Sequence, residues 1–113
     1  MPLVSIYTSG SVAETDEVLT EITSLAAAEL GKPESIMMVR LQAESTMAFG
    51  GTAEVPSTLF EIEGIELSDA KAEPLTLKLC QFATEKLGTP AERVFVKLTS
   101  VPRGMWGGNG KVY

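Results

Sequence analysis

Leu30-Gly31-Lys32-Pro33-Glu34-Ser35-Ile36-Met37-Met38-Val39-Arg40-Leu41 decides the fold, because Leu87-Gly88-Thr89-Pro90-Ala91-Glu92-Arg93-Val94-Phe95-Val96-Lys97-Leu98 repeats its plan later in the chain. Each stretch begins where a helical pattern stops at Leu-Gly. Glycine accepts the left-handed cap conformation there, and the proline two residues on forbids continuation. Each stretch then reads as a strand, Met37 to Leu41 in the first and Val94 to Leu98 in the second.

Upstream of each Leu-Gly lies an amphipathic helix. In the first, Val18, Leu19, Ile22, Leu25, Ala26 and Leu30 fall on one face, which predicts burial of that face. Two starts are open: Ser11 and Glu14 have capping-box spacing, and Thr15 can cap a shorter helix opening on Asp16 and Glu17. In the second, Leu75, Leu79, Phe82, Ala83 and Leu87 share a face and Ser68-Asp69 offers a start. Pro74 must then sit in the first turn, or it kinks or delays the helix. Short strand signals precede the helices, Leu3 to Tyr7 and Thr58 to Ile62.

The sum is one α+β domain over residues 1–113, a βαβ unit used twice. Right-handed crossovers of the same sense give a four-stranded sheet with both helices on one face. The other face is then bare. An apolar bare face needs a cover that so short a chain lacks, so oligomerisation is expected. Met47 and Phe49, in the glycine-bearing loop between the halves, are expected to pack on the core. The tail from Val101 to Tyr113, with four glycines around Trp106, is expected to dock on a neighbouring subunit.

Composition removes several functional classes. No segment approaches the roughly 20 apolar residues that span a bilayer. The start, Met1-Pro2-Leu3-Val4-Ser5-Ile6, lacks the plan of a secretory signal, so a cytoplasmic protein is expected, with release by a route independent of a signal peptide left open. A formal charge of −6 argues against nucleic acid as a partner. With no histidine, His-based metal sites, Ser-His triads and Cys-His dyads are excluded, and no metal site is expected. The base of any proton transfer must be a carboxylate, lysine, tyrosine or terminal amine. The lone cysteine, Cys80, falls in a helical pattern where a buried, inert thiol is expected.

Four pieces in order, Met1-Pro2, Gly31-Lys32-Pro33-Glu34, Met47-Ala48-Phe49-Gly50-Gly51 and Pro90-Ala91-Glu92-Arg93-Val94, resemble the macrophage migration inhibitory factor and D-dopachrome tautomerase family over nearly the whole chain. The resemblance implies a homotrimer whose sheets surround a central channel, with an active site at each subunit interface. It implies keto–enol tautomerisation of a small substrate such as phenylpyruvate or dopachrome, without cofactor. The alternative is a trimeric, cytokine-like binding protein of weak activity that contacts a receptor. A tautomerase specialised for another substrate is a third reading.

On that resemblance Pro2 is the catalytic base. Alone, Pro2 reads as the start of an edge strand. Once Met1 is removed, its secondary amine is uncovered; burial and a nearby cation, Lys32, would lower its pKa toward working pH. With Met1 retained the nitrogen is an amide and has no such role. Lys32 matches the family's substrate-binding lysine, although a lysine at a helix end is favourable in any protein. Gly64, Phe95, Lys97 and Trp106 complete the expected binding set. Phe95 stands where the mammalian protein has tyrosine, so a phenol donor is missing. Lys97 replaces asparagine and either adds charge to the pocket or is solvated. Gly107-Gly108-Asn109 resembles Gly-Trp-Asn, with Trp106 two residues early. Pro56 and Leu59 stand where thiol–disulfide exchange would need a Cys-x-x-Cys pair, and none of Arg40, Arg93 and Arg103 carries a motif for carboxylate binding.

Overall fold

The strand order is 2-1-3-4, in a computed structural model that describes residues 1–113. The elements run β1 (Leu3–Thr8), α1 (Thr15–Leu30), β2 (Met38–Gln42), β3 (Thr58–Ile65), α2 (Ala72–Leu87) and β4 (Val94–Val101), then a short pair β5 (Gly107–Gly108) and β6 (Lys111–Val112). Each βαβ unit contributes one parallel pair, β1 with β2 and β3 with β4. The units join through antiparallel β1 and β3 at the centre, Leu3 opposite Glu63 and Thr8 opposite Thr58.

One face of the sheet holds the core. Val4, Ile6, Phe60, Ile62 and Val94 alternate inward and meet Val18, Ile22, Ala26 and Leu30 of α1 and Leu75, Leu79, Phe82, Ala83 and Leu87 of α2. The buried stripe of α2 is the one expected. Neither expected cap of α1 is made: Thr15 is already helical, and Glu14 at the cap position makes no side-chain hydrogen bond. For α2 the expected start holds, since the Ser68 hydroxyl accepts from the Ala70 N–H at 3.2 Å and a 3-10 turn feeds the helix. Pro74 lies in its first turn, where no N–H partner is needed.

The second face is bare, as expected, but it is not apolar. Arg40, Gln42, Glu61, Glu63 and Lys97 point out with Leu3, Tyr7, Met38, Leu59 and Phe95, because charged and apolar residues share the outward register. The face is therefore mixed rather than the apolar one expected to need a cover. Met47 and Phe49 also depart from expectation. They lie outside the core, Phe49 against Phe95 with ring centroids 5.0 Å apart and Met47 beside Tyr7 and Leu59, because their loop crosses the end of the open face. No helix is long and apolar enough to cross a membrane.

Candidate active site

The candidate site forms where the chain enters β1. The register of Leu3 with Met38 and Glu63 places Pro2 at the central seam, buried, its carbonyl accepting the Met38 N–H at 3.1 Å. Proline suits this position because its missing N–H leaves no ladder bond unmade. In the chain described here its nitrogen is the amide joined to Met1.

Two cavities meet at Met1, and both share Ile36 and Tyr113. One, of about 300 Å³, is basic: Lys32 and Arg103 line it, opposed only by Glu66, with Ile65 at its wall. The other, of about 290 Å³, is apolar and holds Pro2, Leu3, Met38 and Trp106 above Gly107 and Gly108. A larger hollow of about 480 Å³ on the open face, around Tyr7 and Met47, has no amine in its walls.

Lys32 owes its place to the helix end. Gly31 takes φ 66°, which lets the chain turn out while the Lys32 N–H still donates to the Ala27 carbonyl at 3.0 Å. Pro33, extended at ψ 144°, then carries the chain away. The ammonium makes no ion pair and stays available to the cavity. Arg103 sits in a 3-10 turn that follows Pro102, with Nε 3.6 Å from Glu66 Oε1. Glu66 itself holds φ 53°, a left-handed conformation that costs a residue with a Cβ, with its N–H bonded to the Val101 carbonyl at 3.3 Å.

The electrostatics act on the amine. The Met1 amino group is held below its ordinary value, by burial first, then by Lys32 and then by Arg103. All three disfavour the ammonium form.

The tail supplies the floor. Asn109 and Gly110 both take positive φ, 51° and 77°, the two-residue turn that reverses β5 into β6. The Tyr113 N–H donates to the Trp106 carbonyl at 3.0 Å, and its ring lies over Gly108 so closely that a Cβ there would stand 2.9 Å from the phenol oxygen. The tail expected to dock on a neighbouring subunit thus forms a hairpin within its own chain.

Of the predicted set, Pro2, Lys32 and Trp106 come together. Gly64 does not line either cavity: it is buried against Leu67, and the next residues, Ile65 and Glu66, face the space instead. Phe95 and Lys97 are likewise apart, on the open face, Phe95 against Phe49 and Lys97 Nζ 3.6 Å from Glu61 Oε2. Sequence reasoning missed Ile36, Glu66, Arg103 and Tyr113. Only Tyr113 had a local signal, the Asn-Gly turn. Cys80 is half-buried on α2, and burial pushes its thiol up, away from the reactive thiolate.

Fold and site together define a class, a duplicated βαβ domain that presents its N-terminal amine between a basic and an apolar chamber. Residues 1–113 match the family model described as macrophage migration inhibitory factor (MIF). The MIF homologue of Prochlorococcus marinus aligns with a TM-score of 0.91 and 33% identity, over 97% of each chain. The MIF-like protein of Entamoeba histolytica shares the fold with a TM-score of 0.91 at 24% identity, over 99% of this chain and 98% of that one. The MIF homologue of Trichinella spiralis is 26% identical over 116 aligned positions, covering 100% of both chains. The chain belongs to the MIF/D-dopachrome tautomerase family of the tautomerase superfamily. That membership supports a tautomerase-type activity in general.

Proposed function

We propose that the protein is a keto–enol tautomerase of small α-keto or enol carboxylates, phenylpyruvate- or dopachrome-like, with the amine of Pro2 as base after removal of Met1. The observation that carries this reading is the place of Pro2, buried at the entry to β1 in the wall of an apolar chamber that meets, at Met1, a chamber lined by Lys32 and Arg103. Pro2 is more buried than Met1, and its chamber adjoins, across Met1, the chamber that Lys32 and Arg103 line. A free base next to an apolar wall is suited to taking a proton from carbon. Lys32 holds the substrate carboxylate, Trp106 and Met38 face its apolar part, and the fixed proline ring limits motion of the nitrogen.

In this reading the molecule is a homotrimer, and Phe95 and Lys97 serve a neighbouring site. Phe95 of the partner subunit would wall the apolar chamber, and Lys97 of the partner subunit would add charge at its mouth. The separation of both residues from Pro2 within one chain supports this division, and scattering from a lone monomer would overturn it. Intact mass establishes whether Met1 is absent. In mature protein, Pro2→Gly should lower kcat/KM for phenylpyruvate about 100-fold or more, the usual contribution of a positioned base. Activity equal to wild type would remove Pro2 from the chemistry.

A second reading, a trimeric binding protein of weak activity, draws on Phe95 and Gly108, where a phenol and a large ring are missing. Negligible phenylpyruvate turnover by verified mature protein would favour it.

A further inference from the structure

We propose that Arg103 is a second substrate-binding cation, and that with Lys32 it selects 2-oxo acids bearing a second carboxylate. The inference rests on the reading of Pro2 as base and adds to it the substrate class.

The basic chamber is unusual for a chain of charge −6: two of its nine cations, Lys32 and Arg103, line one small cavity. Lys32 has no anionic partner. Arg103 has one, Glu66 at 3.6 Å, but the side chains of both are more than half exposed, 59% and 68%. An ion pair so open to water is weak and easily exchanged. A carboxylate entering the chamber competes for the guanidinium with the better geometry, since two parallel N–H donors can meet both its oxygens. Glu66, already largely solvated, swings out at little cost. Glu66 therefore acts as a placeholder for an anion.

The two chambers then sort substrates. A 2-oxo acid with an aromatic substituent uses Lys32 for its carboxylate and the chamber of Trp106 and Met38 for its ring. A 2-oxodicarboxylate keeps both ends in the basic chamber, one on Lys32 and one on Arg103. Its C3 hydrogens then face the junction of the two chambers, the place that Met1 occupies and that its removal opens to the Pro2 amine. The amine takes one of these protons; the C–H electron pair becomes the C2=C3 double bond, and the carbonyl π pair moves to oxygen. The enolate oxygen is then protonated by the proline ammonium or by water. The reaction is an isomerisation and needs no further reactant.

The test compares oxaloacetate with phenylpyruvate as substrates of the mature protein. Arg103→Ala should raise KM for oxaloacetate about 10- to 100-fold, the loss of one charge-assisted contact, and change that for phenylpyruvate less than about 3-fold. Glu66→Gln, which releases Arg103, should lower the oxaloacetate KM several-fold, and the fold tolerates it because the change is isosteric on an exposed side chain. Calorimetry with malonate, an unreactive dianion, should show binding to Pro2→Gly and its loss in Pro2→Gly/Arg103→Ala. Equal effects of Arg103→Ala on both substrates, an unchanged oxaloacetate KM in Glu66→Gln, or no malonate binding would overturn the proposal while leaving Pro2 as base. Full activity of Pro2→Gly would instead overturn the reading beneath it.

Discussion

The two βαβ units turn the same corner and put opposite things in it. Gly31 and Gly88 share a left-handed cap, φ 66° and 67°, and Lys32 and Thr89 donate back to Ala27 and Ala83 at 3.0 and 3.1 Å. Pro33 and Pro90 leave both corners extended, and a 3-10 turn follows each. The parallel registers make Thr58 the counterpart of Pro2, since Thr58 faces Val94 as Pro2 precedes the pairing of Leu3 with Met38. In the second unit the corner is closed: the Thr58 and Thr89 hydroxyls lie 2.7 Å apart and Thr8 joins at 3.0 Å, all three fully buried. In the first unit the corresponding residues, Pro2 and Lys32, cannot bond to each other, and a cavity remains. Backbone geometry makes the corner; a few side chains decide whether it becomes core or site.

The third difference is Arg93 against Ile36, and it offers the largest expected effect. Arg93 donates five hydrogen bonds, to the carbonyls of Phe49, Thr52, Val55 and Pro56 and to the Ser57 hydroxyl, and so pins the loop over the closed corner. Ile36 pins nothing. Arg93→Ala should cost about 2–4 kcal/mol in denaturant unfolding, and Arg93→Lys should recover little, because an ammonium cannot reproduce the planar fork. A loss under about 0.5 kcal/mol would show that the loop holds itself.

Thr89→Val comes next. It keeps the shape but leaves the Thr58 hydroxyl, now bonded to both neighbours, with one partner fewer in a dry site, at a cost of about 1–3 kcal/mol. The kcat/KM of the folded variant should be unchanged. A fall in kcat/KM at full folding would mean that the closed corner is coupled to the open one.

Lys32→Ala should be the mildest for folding, within about 0.5 kcal/mol, since the side chain is exposed and unpaired. Its effect belongs to the pH profile. A cation beside an amine lowers the amine's pKa, so its removal raises the pKa, and the acid limb of kcat/KM should move to higher pH. An unmoved limb would separate Lys32 from the base. Arg103→Ala should shift the limb in the same direction by less, in keeping with its smaller influence on the amine.

Much of the fold was legible because it rests on local periodicity. The stripe Leu75, Leu79, Phe82, Ala83 and Leu87 and the two Leu-Gly-x-Pro stops needed no knowledge of distant contacts. The start of α1 stayed open between Ser11 and Thr15, which both satisfy the local capping rule, and neither is the cap, because the helix begins at Thr15 with Glu14 in the cap position. The bare face departs from expectation because the inward residues record only the core side, and Arg40, Glu61, Glu63 and Lys97 set the character of the outward one. At the site, Lys32 was visible through its glycine and proline. Arg103, Glu66 and Tyr113 reach the cavity from three separate segments, and no spacing along the chain records that meeting. Tyr113 was the recoverable one, because Asn109-Gly110 encodes the reversal that returns it over Gly108.

That reversal has a mechanical consequence. The hairpin carrying Trp106 and Tyr113 supplies no residue to the buried cluster under the helices. Segments so lightly anchored detach at a free energy well below that of global unfolding. The amide of Tyr113 should therefore exchange its hydrogen early, long before those of β1 and β3, and the floor of the chambers can lift while the sheet above it stays intact.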